Sequence, residues 1–296
     1  MAAPVRGDAR VSLAESRSFL FCPANDPRKT GRVDEFGADA VVLDLEDAVP
    51  PHEKVGAREP ARRALAGIAS AHAGVRSNGL DTGLALDDIA AVVTEGLDFV
   101  VVPKVGTPED LATLDRHLGE CEERAGLAPG SVALVPLVER AGAVLSVAEL
   151  ARAAPQRVPR LAFGLGDFSL ELGVSVAMGE AVLTAKSMIV MASAAAGLAR
   201  PVDGPYVTLQ DPDGLAADSV RSHALGFGGR VVVHPPQVGP VNAAYPLVDV
   251  EALRRAARLV EAFEAVMATG KAAMRHDGEF VDYPGYLAAK RVLARR

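Results

Sequence analysis

The sequence predicts an α/β fold: a (β/α)8 TIM barrel with a C-terminal helical and lid extension. Three observations predict it. Eight short β-rich runs alternate with helical runs rich in Ala, Leu, Glu and Arg. The strand runs are near-continuously apolar, as in parallel strands covered on both faces. The chain has 296 residues, and such a barrel needs about 250.

In chain order, the strand candidates begin with "SFLFC", "ADAVVLDL", the short "GVRSN" and "LDFVVVP". "SVALVPLVE", "RLAFGLG", "GPYVTL" and "GRVVVHP" complete the set. Helical patterns lie between them, such as Pro108–Ala125 and Arg140–Ala154. A long helix, Asp249–Thr269, follows the eighth strand. Then comes "GKAAMRHDGEFVDYPGYLAAKRVLARR", which is surplus to a barrel. The expected organisation is a flexible N-terminus over 1–15, a catalytic barrel over 16–248, and a helical extension and lid over 249–296. Aromatics make up 4% and Trp is absent, so Ala, Val and Leu must build the core.

Composition excludes some classes of function. A formal net charge of −7 without a concentrated basic field argues against nucleic-acid binding. No apolar segment is long and clean enough for a membrane span. The two cysteines, Cys22 and Cys121, have no paired spacing and read as small packed residues in a reducing compartment. The N-terminus lacks the apolar region of a secretory signal. The expectation is a cytoplasmic protein. There is no Walker loop, no nucleotide fingerprint and no HExxH.

The acids carry the chemistry. "AVVLDLED" ends an apolar run with Asp44, Glu46 and Asp47. Acids are costly inside a barrel unless paired, and cheap at its C-terminal mouth, where barrel active sites lie. Alternation places Asp44 and Glu46 on one face and Asp47 on the other. "LVPLVE" finishes with Glu139 and "LAFGLGD" with Asp167, about one β-helix-β unit apart. Adjacent parallel strands lie roughly 4.8 Å apart. Carboxylates at one level can therefore share a hard cation, and Mg²⁺ commonly takes only one or two of them. Glu139 and Asp167 are the candidate metal ligands. Arg76, Lys104 and Arg17 bring positive charge to strand ends, suited to a keto acid or a developing enolate. Each of these groups also has a plainer reading as a cap, a loop acid or a salt-bridge partner.

These pieces, in this order, resemble the citrate lyase beta-subunit-like proteins, the HpcH/HpaI aldolase and malyl-CoA lyase group. The likeness runs from "SRSFLFCP" to about "GEFVDYPGYLAAKRVL". It includes "ADAVVLDLEDAVPPHEKVGAR", "VRSN", "VVPK", "LVPLVE", "GLGDFSLELG", "ALGFGGRVVVHPPQV" and "DGEFVDYP".

The resemblance implies a Mg²⁺-dependent carbon–carbon lyase or aldolase. Its substrates would be an acyl-CoA thioester and a small keto acid, with malyl-CoA or citramalyl-CoA as the condensed species. It implies Glu139 and Asp167 as metal carboxylates and Arg76 as the arginine on the substrate carboxylate or thioester oxygen. Glu46 and Asp47 match the acidic pair that organises the site. Lys54 and Arg58 match the basic residues after that pair. Arg17 and Phe19 fall on the thioester side, and Asp282 matches a lid aspartate that handles a proton. A homotrimer or homohexamer is implied. A malyl-CoA-type thioesterase, an acyl-carrier-linked citryl lyase beta subunit and a CoA-independent hydroxy-acid aldolase remain open. Departures from the family pattern are Ala24, Ser77, Arg140, Lys186 and Arg230. Arg140 bears most on the pocket, because it follows a proposed ligand.

Overall fold

The computed structural model describes residues 10–175, 179–247 and 250–294. The chain divides into two units, Met1–Tyr245 and Pro246–Arg296. In the first, the apolar runs become β1 (Ser18–Pro23), β2 (Ala40–Asp44), β3 (His72–Arg76) and β4 (Phe99–Val102). β5 (Ala133–Val138), β6 (Ala162–Phe163), β7 (Val202–Asp203) and β8 (Gly229–Val232) follow. Every neighbouring pair is parallel, and β1 pairs with β8 to close the barrel.

Strand alternation sorts the side chains into two layers. Phe19, Val42, Phe99, Val101, Val135 and Leu137 fill the interior. Leu20, Leu43, Val75, Val100, Leu134 and Val138 join the layer of the surrounding helices. Phe19 and Phe99 meet edge to face inside the barrel, with centroids 5.9 Å apart. A Cβ at Gly74 would overlap the Phe99 ring, so the small residue on β3 makes room for the large one on β4. Truncating Phe99 to Ala would cost about 3–5 kcal/mol by leaving this cavity unfilled.

The N-terminal pole is closed by the chain itself. Leu13 packs on the interior cluster. Arg10 Nη1 donates to the Ala71 carbonyl (3.0 Å) and pairs with Asp98 (3.1 Å). The fully buried Arg160 donates to the carbonyls of Ser16 (2.8 Å), Leu13 and Pro201 (both 3.3 Å). Residues 10–15 are therefore held in place rather than forming part of a flexible terminus. The rest of the expected terminus, residues 1–9, lies outside the described residues.

Other expectations need correction. The seventh strand is Val202–Asp203, not "GPYVTL". The strand ends before Gly204 and Pro205, and Val207 and Leu209 are exposed. Pro205 has no N–H to continue a ladder. The expected helix Arg140–Ala154 is two short helices, Ala141–Leu145 and Val147–Arg152, separated at Ser146. Pro108–Arg124 is helical, with Thr107 and Asp110 forming a capping box.

In the second unit, helix Val250–Met267 precedes a hairpin of β9 (Ala273–His276) and β10 (Glu279–Asp282), then helix Tyr283–Leu293. The expected boundary between 248 and 249, and Asp249 as the helix start, lie outside the described residues. Asp277 and Gly278 both have positive φ, 48° and 87°, as the tight hairpin turn requires. Phe263 stacks on Tyr286 at 5.1 Å and, with Val281, forms this unit's small core. No described helix is long and apolar enough to cross a membrane.

Candidate active site

β2 and β3 run in register with Asp44 opposite Arg76. Asp44 is buried. Its carboxylate accepts two hydrogen bonds from Arg76, Nε at 2.7 Å and Nη2 at 2.5 Å. It also accepts from the backbone N–H groups of Glu46 (2.9 Å) and Ala48 (3.1 Å). One acid thus fixes both the arginine and the loop carrying the other two acids. Arg76 Nη1 also reaches Glu46 (3.1 Å) and Asp47 (3.3 Å). Asp47 was expected on the opposite face. Regular alternation stops with β2 at Asp44, so it turns back to Arg76. The guanidinium lies over the Phe21 ring at 5.1 Å. Burial opposes its charge, but Asp44, Glu46 and Asp47 more than offset this and raise its pKa above the ordinary arginine value.

Glu139 directly follows β5, and its Oε1 accepts from the Lys104 backbone N–H at 2.9 Å. A Cβ at Gly164 would overlap the Glu139 side chain, so glycine there is what admits the carboxylate. Asp167 does not finish a strand. β6 ends at Phe163, and Asp167 sits in the first turn of helix Leu165–Leu172, where an acid favours the helix dipole. Lys104 Nζ bridges Glu46 (2.8 Å) and Asp167 (3.2 Å). Burial, then repulsion from Glu46 and Asp167, pushes Glu139 up to about 8. Burial likewise raises Glu46, against the pull of Arg76 and Lys104.

A cavity of about 750 Å³ opens over this group. Asp44, Asp47, Arg76, Glu139 and Asp167 line it, together with the apolar Phe21, Val33, Phe36 and Leu165. Arg28, Lys29 and Arg32 also line it. Their signal was legible: "DPRKTGR" places three cations directly after the first strand, opened by the Asp26 cap. Asp44, the one acid of "LDLED" without an expected role in the site, also lines the cavity. His234 lines the cavity, and Gln237 ties its loop to Tyr206.

The structure places the four expected cofactor-binding residues away from the cavity. Arg17 precedes β1, at the pole opposite the mouth, and is locked to Asp39 at 2.7 and 2.8 Å. Phe19 points into the barrel interior and is 1% exposed; its neighbour Phe21 reaches the cavity instead. Lys54 donates to the Glu46 carbonyl and Asn78 Oδ1, both at 2.7 Å. Arg58 pairs with buried Asp88 at 2.8 Å. Lys54 and Arg58 therefore brace the β2 and β3 loops, and neither lines the cavity. Arg140 turns to Asp81 (2.5 Å) and is absent from the cavity wall, so this departure leaves the pocket open. Lys186 and Arg230 both pair with buried Asp203, at 2.8 and 2.9 Å, in a network between barrel and helices. In the second unit, the Asp282 carboxylate caps helix Tyr283–Leu293 through Gly285 N–H at 3.2 Å.

The family model for HpcH/HpaI aldolase/citrate lyase matches residues 17–235. This chain belongs to that family. It is 31% identical over 280 residues to the citrate lyase subunit beta of Leuconostoc mesenteroides subsp. cremoris, covering 94% of this chain and 92% of the relative. It is also 31% identical over 282 residues to the (3S)-malyl-CoA thioesterase of Cereibacter sphaeroides, covering 94% of each. Among solved structures, the CitE protein of Mycobacterium tuberculosis, in complex with magnesium, acetoacetate and coenzyme A, superposes with a TM-score of 0.74 at 27% identity. That match covers 96% of this chain and 99% of the other.

The carboxylates of this family member fit a magnesium ion. No described group of three or more His, Cys, Asp or Glu side chains forms a closed metal cage. Mg²⁺ does not need one, since water and substrate oxygens complete its shell. The raised pKa of Glu139, crowded by Glu46 and Asp167, marks negative charge that a divalent cation relieves.

Proposed function

We propose that this protein is a Mg²⁺-dependent carbon–carbon lyase acting on a 3-hydroxyacyl-CoA thioester of the malyl-CoA or citramalyl-CoA kind. One observation carries the reading. A single cavity joins the Arg76 and carboxylate group to three further cations, Arg28, Lys29 and Arg32. The first set suits a keto acid and an enolate; the second suits the phosphates of a CoA carrier. The magnesium, acetoacetate and coenzyme A held by the tuberculosis relative support the same reading.

Glu139 and Asp167 would hold the ion, which supplies Lewis-acid polarisation of a keto-acid carbonyl when bound. Arg76 offsets negative charge on the substrate carboxylate or the thioester oxygen as it develops. Asp44 keeps the guanidinium fork aimed, so the donors need no reorganisation during the reaction. Glu46 and Asp47 hold the third Arg76 nitrogen. Phe21, Val33 and Phe36 exclude water from the acyl arm. Asp282 is proposed, from the resemblance, to pass the proton between solvent and the acyl carbon or hydroxyl. A cytoplasmic homotrimer or homohexamer is part of the proposal; light scattering of the purified protein tests the assembly.

A second reading is hydrolysis of the same thioester, favoured by the (3S)-malyl-CoA thioesterase relative. Mass-spectrometric product analysis over a panel of acyl-CoA thioesters with Mg²⁺ separates the two. A free keto acid plus a shorter acyl-CoA supports the lyase. A free hydroxy acid plus CoA replaces it with the thioesterase.

A further inference from the structure

Lys104 is one of only two non-glycine residues with positive φ among the described residues, at 58°. A long side chain in the left-handed region carries strain, which tends to collect at functional sites. Here the strain has a use. The turned backbone aims the Lys104 N–H at Glu139 Oε1 (2.9 Å). The same residue sends its ammonium between Glu46 (2.8 Å) and Asp167 (3.2 Å). One residue therefore touches three carboxylates through two different groups. Lys104 does not itself line the cavity, so it is not placed to hold substrate.

We propose that Lys104 is an internal counter-cation for the carboxylate site, a positioning residue that holds Glu46, Glu139 and Asp167 together without a metal and sets how tightly they bind one. The inference rests on the metal reading above. Like charges at this spacing repel strongly in a half-buried setting. With the ammonium present, the carboxylates are partly neutralised and stay gathered at the mouth. An added divalent ion meets a site whose field Lys104 has already weakened. Its metal affinity is therefore lower than the bare carboxylates would give.

Mn²⁺ binding to the full chain, followed by titration calorimetry or by the spin resonance of free Mn²⁺, tests this. Lys104→Met removes the ammonium. Lys104→Gly removes it too, and glycine suits the left-handed backbone and keeps the N–H aimed at Glu139. Both variants should bind Mn²⁺ more tightly than wild type, by about tenfold or more given the loss of one full charge near the ion. In chelator both should melt below wild type, and Mn²⁺ should close that gap. Lys104→Arg, which keeps the charge, should stay near wild type. Unchanged or weaker Mn²⁺ affinity in both Met and Gly variants overturns the inference and makes Lys104 a scaffold residue. Failure of the wild-type chain to take up Mn²⁺ overturns the metal reading itself, and this inference with it.

Discussion

Asp44 and Arg76 face each other across the β2–β3 ladder and share two hydrogen bonds, at 2.7 and 2.5 Å. The pair is nearly dry, with side chains 2% and 12% exposed. Asp44 also holds the backbone of Glu46 and Ala48. The arginine of the site is therefore only as well aimed as the acid behind it. Asp44→Ala should lower stability by about 1–3 kcal/mol, because it leaves Arg76 Nε and Nη2 without their acceptor while Glu46 and Asp47 still offset the charge. Asp44→Asn should fold better but leave Arg76 loosely held, lowering turnover by roughly 10²-fold. Urea unfolding and steady-state kinetics check the two outcomes. Full activity in Asp44→Asn would show that Arg76 needs no such anchor.

Glu139 gives a pH signature. Its pKa rises from an ordinary carboxylate value to about 8, chiefly through burial and then through Glu46 and Asp167. Between those values the folded chain holds a proton that the unfolded chain has released. Stability from this group is thus fully present below the unfolded pKa and is lost as pH rises through about 8. Glu139→Gln removes the titration. In chelator, the melting temperature of the variant relative to wild type should climb from pH 5 to pH 9. A difference independent of pH would mean that Glu139 is not held in this environment.

The basic residues of the mouth give a substrate-length signature. Arg28, Lys29 and Arg32 line the cavity and are proposed to meet the CoA phosphates. Changing each to Ala should raise KM severalfold for a CoA thioester and leave the matching pantetheine thioester unaffected. The effect should fade at high salt, as for other exposed charges. Equal losses for both substrates would move these residues out of the recognition of CoA.

Asp282 caps its helix, and the proton-transfer duty proposed for it is separable from that cap. As a helix cap it should be replaceable by Asn, which caps equally well. Asp282→Asn should therefore keep the melting temperature of the chain and its Mn²⁺ affinity while turnover falls by at least about 10²-fold, the usual scale of acid–base catalysis. Unimpaired turnover in this variant would leave Asp282 with the cap alone.

Much of the barrel was legible because its strands are long apolar runs. β4 and β5 announce themselves through Val, Leu and Phe. β7 did not, because a two-residue strand carries no period and the exposed Val207 and Leu209 imitate one. Glu139, Asp167 and Arg76 were legible as charges that the barrel interior would not tolerate. Direction was harder to read. Phe19 and Phe21 share the interior face of β1, and only position along the strand separates them: Phe19 is buried deep in the barrel, while Phe21, nearer the C-terminal mouth, reaches the cavity. The same limit misassigned Arg17, which lies at the wrong end of its strand. Asp44 received no role from the sequence, because its pairing with Arg76 on the next strand is set by the barrel's register. The left-handed turn at Lys104 has no residue signature, since lysine is not chosen for that backbone.

Glu139 and Asp167 are proposed to support metal-dependent cleavage of a carbon–carbon bond in the cavity that they line. The most direct measurement incubates malyl-CoA and citramalyl-CoA with wild type, Glu139→Gln and Asp167→Asn, with Mg²⁺ and with chelator, and identifies the products by mass. Wild type with Mg²⁺, and no other combination, should release glyoxylate or pyruvate together with acetyl-CoA. Cleavage that survives chelator, or that persists undiminished in both variants, would contradict the proposal.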